Sequence, residues 1–278
     1  MKVCDIVRAH PEIRLYKSID DLDIPVDGIW ISTPTKFHVE AIIAASNKTK
    51  HIYCEKPIAS TPDQVNLAYT TCAAKGVSLH CGWMRRRDPG YQAIKQYLDK
   101  NSATIVRGEF HSFDWPIVPP EFLKTLGSIF TDLMCHDFNL TQYYMNNKLP
   151  KYITAHGVDG GIGIWDSAVA ELEYANGSKL VLTATRNGNG VYDNSLTVLT
   201  SDSKILDCGR EEKDLTQTFM ARHDDNFRSE LPYFANIIKN NLGSGDKISC
   251  INTAVLITAA TRSANLGGKR IPIIAPRL

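Results

Sequence analysis

The sequence predicts an α/β chain in two parts. A parallel-sheet domain spans residues 1–101, and an α+β domain with a large, mostly antiparallel sheet spans 102–278. Three observations predict it. Short apolar runs alternate with helically spaced segments over the first hundred residues, which implies strand–helix–strand units with parallel pairing. Runs with a period of two dominate from 152 to 208. Asn176-Gly177 sits between two such runs, a strong hairpin signal.

The elements follow in order. Residues 26–32 (VDGIWIS) form a short apolar run ending in Ser-Thr-Pro and read as a buried parallel strand. A helix is expected over 38–46, a strand over 51–54 and a helix over 62–75. Thr61 is placed to cap that last helix and Gly76 to stop it. A strand over 77–81 and a helix over 88–100 complete the first part. In such sheets ligands bind beyond the carboxyl ends of the strands, so the loops at 33–35, 55–57 and 83–87 are expected to converge on one edge. The second part reads as a strand over 104–111 and a helix over 129–145. Strands over 152–157, 168–174, 179–185, 195–200 and 204–208 follow. Helices over 225–240 and 251–266 close the chain, the last expected to pack back on the first domain.

Composition excludes several classes. Hydrophobic residues make up 43% and charged residues 22%, ordinary for a globular protein, so a fibrous or disordered chain is excluded. The net charge of +1 gives no reason to expect nucleic acid or an anionic membrane as partner. No apolar run approaches the ~18 residues of a membrane span, and no secretory leader is visible. Seven cysteines without a CxxC pair read as a reducing, cytoplasmic compartment. No Cys/His spacing suggests zinc, so no metal is expected. Gly157–Gly163, GVDGGIG, is expected to be a loop.

Three segments carry a resemblance. STPTKFHVEAIIAASNKTKHIYCEKPIA at 32–59, CGWMRRRDPGY at 81–91 and DLMCHDFN at 132–139 resemble, in this order and spacing, the Gfo/Idh/MocA oxidoreductases. The resemblance implies that the first part is a truncated Rossmann-like domain. The glycine-rich GxGxxG turn of the family, which approaches the cofactor pyrophosphate, does not occur in these residues. The sequence therefore predicts a shortened gene model or isoform lacking about forty residues of the pattern.

The resemblance also implies chemistry. The expected reaction is oxidation of a secondary hydroxyl of an inositol-like polyol or sugar by NAD or NADP. The choice of dinucleotide is open, because the residue that decides it belongs to the missing segment. Lys56 would hydrogen-bond the substrate hydroxyl and favour its developing alkoxide. Asp132 and His136, four apart, would share one helix face. His136 is the expected general base, with Asp132 binding substrate or orienting the imidazole. The division of roles between Lys56 and His136 is open on sequence. Thr33, Pro34 and Thr35 would line the dinucleotide and Glu55 its nicotinamide ribose, while His38 serves the cofactor loop or packs. Met84 and Arg85 would contact substrate, and Arg85 alternatively cofactor. Tyr192 would reach the polyol or sit half-buried in the sheet, and Asp114 and Trp115 lie where a substrate pocket can form. Arg86 and Arg87 are expected to be solvated or paired with carboxylates. A homodimer or homotetramer through the second sheet is the implied assembly. The alternative is a non-catalytic sensor or an inactive shortened member of the same family.

Overall fold

The computed structural model describes residues 10, 12–114, 119–186, 193–209 and 219–276. Its first part is a three-stranded parallel sheet in the order β1-β2-β3: β1 is Ile29–Ile31, β2 His51–Glu55 and β3 Ser78–Gly82. Ile31 pairs with Cys54 and Glu55 with Gly82, so the carboxyl ends lie side by side. Between the strands run α1 (His38–Ala45), entered by a 3-10 turn at Thr35–Phe37, and α2 (Pro62–Ala74). A second 3-10 turn, Met84–Arg87, leads into α3 (Pro89–Lys100). Asp88 caps α3, its carboxylate accepting the Gly90 and Tyr91 amides at 2.9 and 3.4 Å, and Pro89 fills the position that needs no amide. Thr61 precedes α2 but does not cap it: its hydroxyl donates to Gln64 Oε1 instead.

The second part contains β4 (Ile105–Phe113), α4 (Pro120–Leu126), α5 (Ile129–Asp132), α6 (Met134–Tyr144), β5 (Tyr152–Val158), β6 (Ser167–Glu173), β7 (Lys179–Thr185), β8 (Asp193–Thr200), β9 (Ile205–Cys208), α7 (Phe219–Lys239), α8 (Lys247–Asn265) and β10 (Ile271–Pro272). The sheet order is β10-β5-β6-β7-β4-β8-β9. All pairs are antiparallel except β4 with β7. The Rossmann-like sheet followed by a large mixed sheet is the predicted fold class. The Asn176-Gly177 hairpin joins β6 to β7, with Gly177 at φ +87°, a conformation glycine adopts without strain. α4 and β10 were not expected from the sequence.

The helix expected over 129–145 is two helices. It breaks at Leu133 because the Asp132 carbonyl does not receive the amide four residues on. That carbonyl accepts the Lys56 ammonium at 2.7 Å and the Cys135 thiol at 3.1 Å, and the His136 amide donates to Leu133 O.

One face of the large sheet is covered by α6 and α8. The other presents Glu109, His111, Val169, Glu171, Val181 and Thr183 in one cross-strand band, all exposed or half-buried. α8 also lies on α2. The six described cysteines are free and buried. Among the described residues no helix is long and apolar enough to cross a membrane.

α7 lies over the parallel sheet. Phe234 and Ile237 pack on Tyr53, whose ring centroid is 4.3 Å from that of Trp30. Tyr53 Oη donates to Glu230 Oε1 at 2.6 Å and accepts from Arg87 Nη2 at 3.0 Å. Glu230 is 1% exposed, and burial pushes its carboxyl up to about 7. Folding therefore takes up a proton at Glu230 between its unfolded value and about 7. Stability contributed through this group falls as pH rises across that window, by about 3 kcal/mol. Glu230→Gln, which keeps the acceptor for Tyr53, is expected to remove this slope. Calorimetric midpoints between pH 5 and pH 8 check it, and an unchanged slope in the variant would assign the titration elsewhere.

Candidate active site

The parallel sheet delivers Lys56 against the α5–α6 junction of the second part. Lys56 directly follows β2, in a Glu55-Lys56-Pro57 turn whose last peptide bond is cis. Its ammonium lies 2.7 Å from Asp132 O and 3.3 Å from Asp132 Oδ1, joining segments 76 residues apart. Burial works against the charge on Lys56, but Asp132, Cys135 and Glu55 outweigh it and hold its pKa above the ordinary value. Lys56 is therefore a standing cation at neutral pH and not a proton acceptor. Burial likewise pushes the Cys135 thiol up to about 12, which keeps it a neutral donor to the Asp132 carbonyl.

Asp132 is held from the other side by a residue that sequence reading missed. Arg186, the first residue past β7, places Nε 3.3 Å from Asp132 Oδ2 and donates from Nη2 to Gly127 O at 2.9 Å. Its side chain is 2% exposed, against 21% for Lys56 and 24% for Asp132. The available signal was a lone arginine closing the alternating run KLVLTAT before the glycine-rich segment.

His136 lies in the first turn of α6, just past the break. It is buried, with the Trp83 ring edge-on at 6.1 Å. Trp83 in turn donates from Nε1 to Cys250 Sγ at 3.3 Å. The expected Asp132–His136 pairing differs in detail: Asp132 Oδ1 faces Lys56 and Oδ2 faces Arg186. The helix break places the two residues on adjacent short helices.

The remaining predicted residues divide. Thr33 is exposed and Pro34 and Thr35 half-buried at the carboxyl edge, with Glu55 beside them. Burial raises the Glu55 carboxyl above its ordinary value. His38 is buried, with one ring nitrogen 2.8 Å from Pro57 O and the other 2.6 Å from Thr33 O. It ties the two edge loops together, which is the packing role. Met84 and Arg85 are both buried, at 4% and 3% exposure. The Arg85 guanidinium is set against Asp137 Oδ1 at 2.8 Å and Ser112 Oγ at 2.7 Å. That interior placement corrects the expected ligand contact: the group is committed to tying the turn after β3 to α6 and β4. Arg86 pairs with Asp246 at 2.8 Å, whereas Arg87 stacks on Tyr233 with its guanidinium carbon 3.8 Å from the ring centroid. Asp114 continues β4, its amide donating to Thr185 O at 2.8 Å. Tyr192 and Trp115 lie outside the described residues.

The edge offers a donor and acceptor set that fits a dinucleotide at its nicotinamide-ribose end: the Thr33 and Thr35 hydroxyls and the Glu55 carboxylate, grouped where the parallel strands end.

Comparison with known proteins bears on the family and the fold. The pattern described as "Oxidoreductase family, NAD-binding Rossmann fold" matches residues 3–83, and that of the "GFO/IDH/MocA C-terminal domain" matches 91–206. The chain is 28% identical over 254 residues to myo-inositol 2-dehydrogenase of Thermotoga maritima, covering 82% of this chain and 74% of that one. It is 24% identical over 277 residues to scyllo-inositol 2-dehydrogenase (NAD(+)) of Bacillus subtilis, covering 93% and 80%. The fold is similar to that of scyllo-inositol dehydrogenase from Lactobacillus casei crystallised with NAD(H) and scyllo-inositol. The TM-score is 0.85 at 21% identity, over 97% of this chain and 88% of that one.

Proposed function

This chain belongs to the Gfo/Idh/MocA oxidoreductase family, and from that premise we propose that it oxidises a secondary hydroxyl of an inositol-like polyol or sugar with NAD or NADP. It is an NAD(P)-dependent dehydrogenase acting on CH–OH groups. Thr33, Pro34, Thr35 and Glu55 would hold the dinucleotide at the carboxyl edge of the parallel sheet. When bound, the nicotinamide supplies the hydride acceptor; the protein supplies position and charge.

Lys56, His136 and Asp132 share the remaining work in this reading. The Lys56 ammonium donates to the substrate oxygen and stabilises the negative charge that grows there as the C–H bond weakens. His136 takes the hydroxyl proton, since Lys56 is held protonated by Asp132. Asp132 fixes the Lys56 head through its carbonyl and its carboxylate. The single observation carrying this reading is that Lys56–Asp132 contact, which sets the cation of one sheet beside the histidine helix of the other.

The reading includes a homodimer or homotetramer joined through the open face of the large sheet, which light scattering measures. The test of the activity is formation of reduced dinucleotide when the purified chain is given NAD or NADP with myo-inositol, scyllo-inositol and related polyols. Turnover with a polyol is the expected result. Polyol binding without turnover would turn the reading to a sensor.

A further inference from the structure

Trp83 is fixed at every polar group it carries. It stands between β3 and the 3-10 turn at Met84–Arg87. Its amide donates to Cys81 O at 2.9 Å, and its carbonyl accepts the Arg86 amide at 3.0 Å. Its indole N–H donates to Cys250 Sγ on α8 at 3.3 Å, across 167 residues of chain. The sulfur is itself placed by a second donor, since Tyr69 of α2 donates from Oη to Cys250 Sγ at 3.5 Å. Trp83 is 3% exposed, and Tyr69 and Cys250 2% each, so neither bond competes with bulk water. A buried indole N–H needs a partner. Here that partner is a thiol sulfur, a weak acceptor on which the end of β3, α2 and α8 meet. The rotation of the indole is thereby tied to α8.

The indole also stands against His136. The two ring centroids are 6.1 Å apart with their planes at 81°, the edge-to-face arrangement that aromatic pairs favour. His136 lies in the first turn of α6 and is 5% exposed. A general base works only within hydrogen-bond reach of the proton it takes, and a misplacement of about 1 Å costs about a hundredfold in rate. Turning an imidazole about its side-chain bonds moves its nitrogens on that scale. Whatever holds the plane of this ring therefore bears on the rate.

We propose that Trp83 is a positioning residue for His136 and that Cys250 sets Trp83 through the indole N–H, so that a sulfur on α8 fixes the plane of the imidazole that takes the substrate proton. The inference rests on the dehydrogenase reading and deepens it by adding two residues that act through His136 alone. A residue that only fills space lowers activity by the same factor whether or not His136 is present. A residue that acts through His136 has nothing left to act on once the imidazole is gone.

The experiment is a double-mutant cycle on kcat with myo-inositol: wild type, Trp83→Leu, His136→Ala and the two combined. Trp83→Leu alone is expected to lower kcat about 10- to 100-fold, with the dinucleotide dissociation constant within about twofold of wild type. In the His136→Ala background the same substitution is expected to cost less than about threefold. Equal factors in the two backgrounds, or a loss below about threefold in Trp83→Leu itself, overturn the inference and leave the reading of His136 intact. A His136→Ala variant as fast as wild type overturns both. If Trp83→Leu does not fold, Cys250→Val, which has no acceptor for the indole, is compared with Cys250→Ser, which keeps one. Cys250→Val is expected to lower kcat about 3- to 10-fold and Cys250→Ser to bring it back within about twofold of wild type; equal values overturn the inference. If wild type turns over no polyol, the dehydrogenase reading fails by itself, and the positioning is read by nuclear magnetic resonance. The imidazole protons of His136, identified by their loss in His136→Ala, are expected to move in Cys250→Val and to hold in Cys250→Ser. The same positions in both variants overturn the inference.

Discussion

His136→Ala is expected to lower kcat with an inositol substrate by about 10²–10⁴-fold, the usual worth of a positioned general base. The dissociation constant for the dinucleotide should stay within about twofold, because the groups placed to hold it are on the other sheet. Lys56 is held as a cation by Asp132, the Cys135 thiol stays protonated, and the Asp132 carboxylate is shared between Lys56 and Arg186. His136 is the residue left to take a proton. Steady-state kinetics together with a dinucleotide titration separate the two parameters. A variant that turns over as fast as wild type would remove His136 from the mechanism, and one that merely loses dinucleotide affinity would make it a cofactor residue.

The second large effect concerns stability. Asp137→Ala is expected to destabilise the fold by about 3–5 kcal/mol, the cost of stranding one member of a buried ion pair. Arg85 and Asp137 are 3% and 2% exposed with a 2.8 Å contact, and Ser112 donates to the same carboxylate oxygen. Burial pushes the Asp137 carboxyl up to about 6 even against the pull of Arg85, so the carboxylate form has no solvent to fall back on. Without Asp137, the guanidinium of Arg85 stays among buried groups with its main counter-charge gone. Replacing both at once, by Arg85→Met with Asp137→Leu, is expected to recover most of the loss, since no uncompensated charge remains. Denaturant midpoints read both variants. A loss below about 1 kcal/mol in the single variant would mean that water reaches the guanidinium.

These two cases show what a linear reading can and cannot see. Strand runs such as LVLTA and the Asn176-Gly177 turn declare themselves, because local periodicity and turn chemistry are properties of neighbours. Lys56 and His136 stand in motifs that a linear reading singles out, and their roles are the proposal made above. The break at Leu133 was not, because its cause is a lysine 76 residues upstream that competes for a helix carbonyl. Arg186 was missed for the same reason: its value comes from Asp132 and Gly127, neither of which is near it in sequence. Arg85 erred in the opposite direction. A charged residue in a motif at a strand end reads as a ligand contact, and only the tertiary position of Asp137 and Ser112 shows it turned inward. The short β1, three residues instead of seven, reflects that apolar character predicts burial better than it predicts pairing.

The placement of α8 bears on how this fold can be recombined. Thr258 donates to Ser60 O beside the parallel sheet, and Tyr69 of α2 donates to Cys250 Sγ. On the other flank, Asn139 of α6 donates to Thr253, and Ser263 accepts the Ala155 amide of β5. One helix late in the chain is thus a wall of both halves. The halves are therefore not interchangeable modules. A chimera that takes its first hundred residues from a relative would set foreign α2 side chains against a helix shaped for these, and a working exchange must carry α8 along with the parallel sheet.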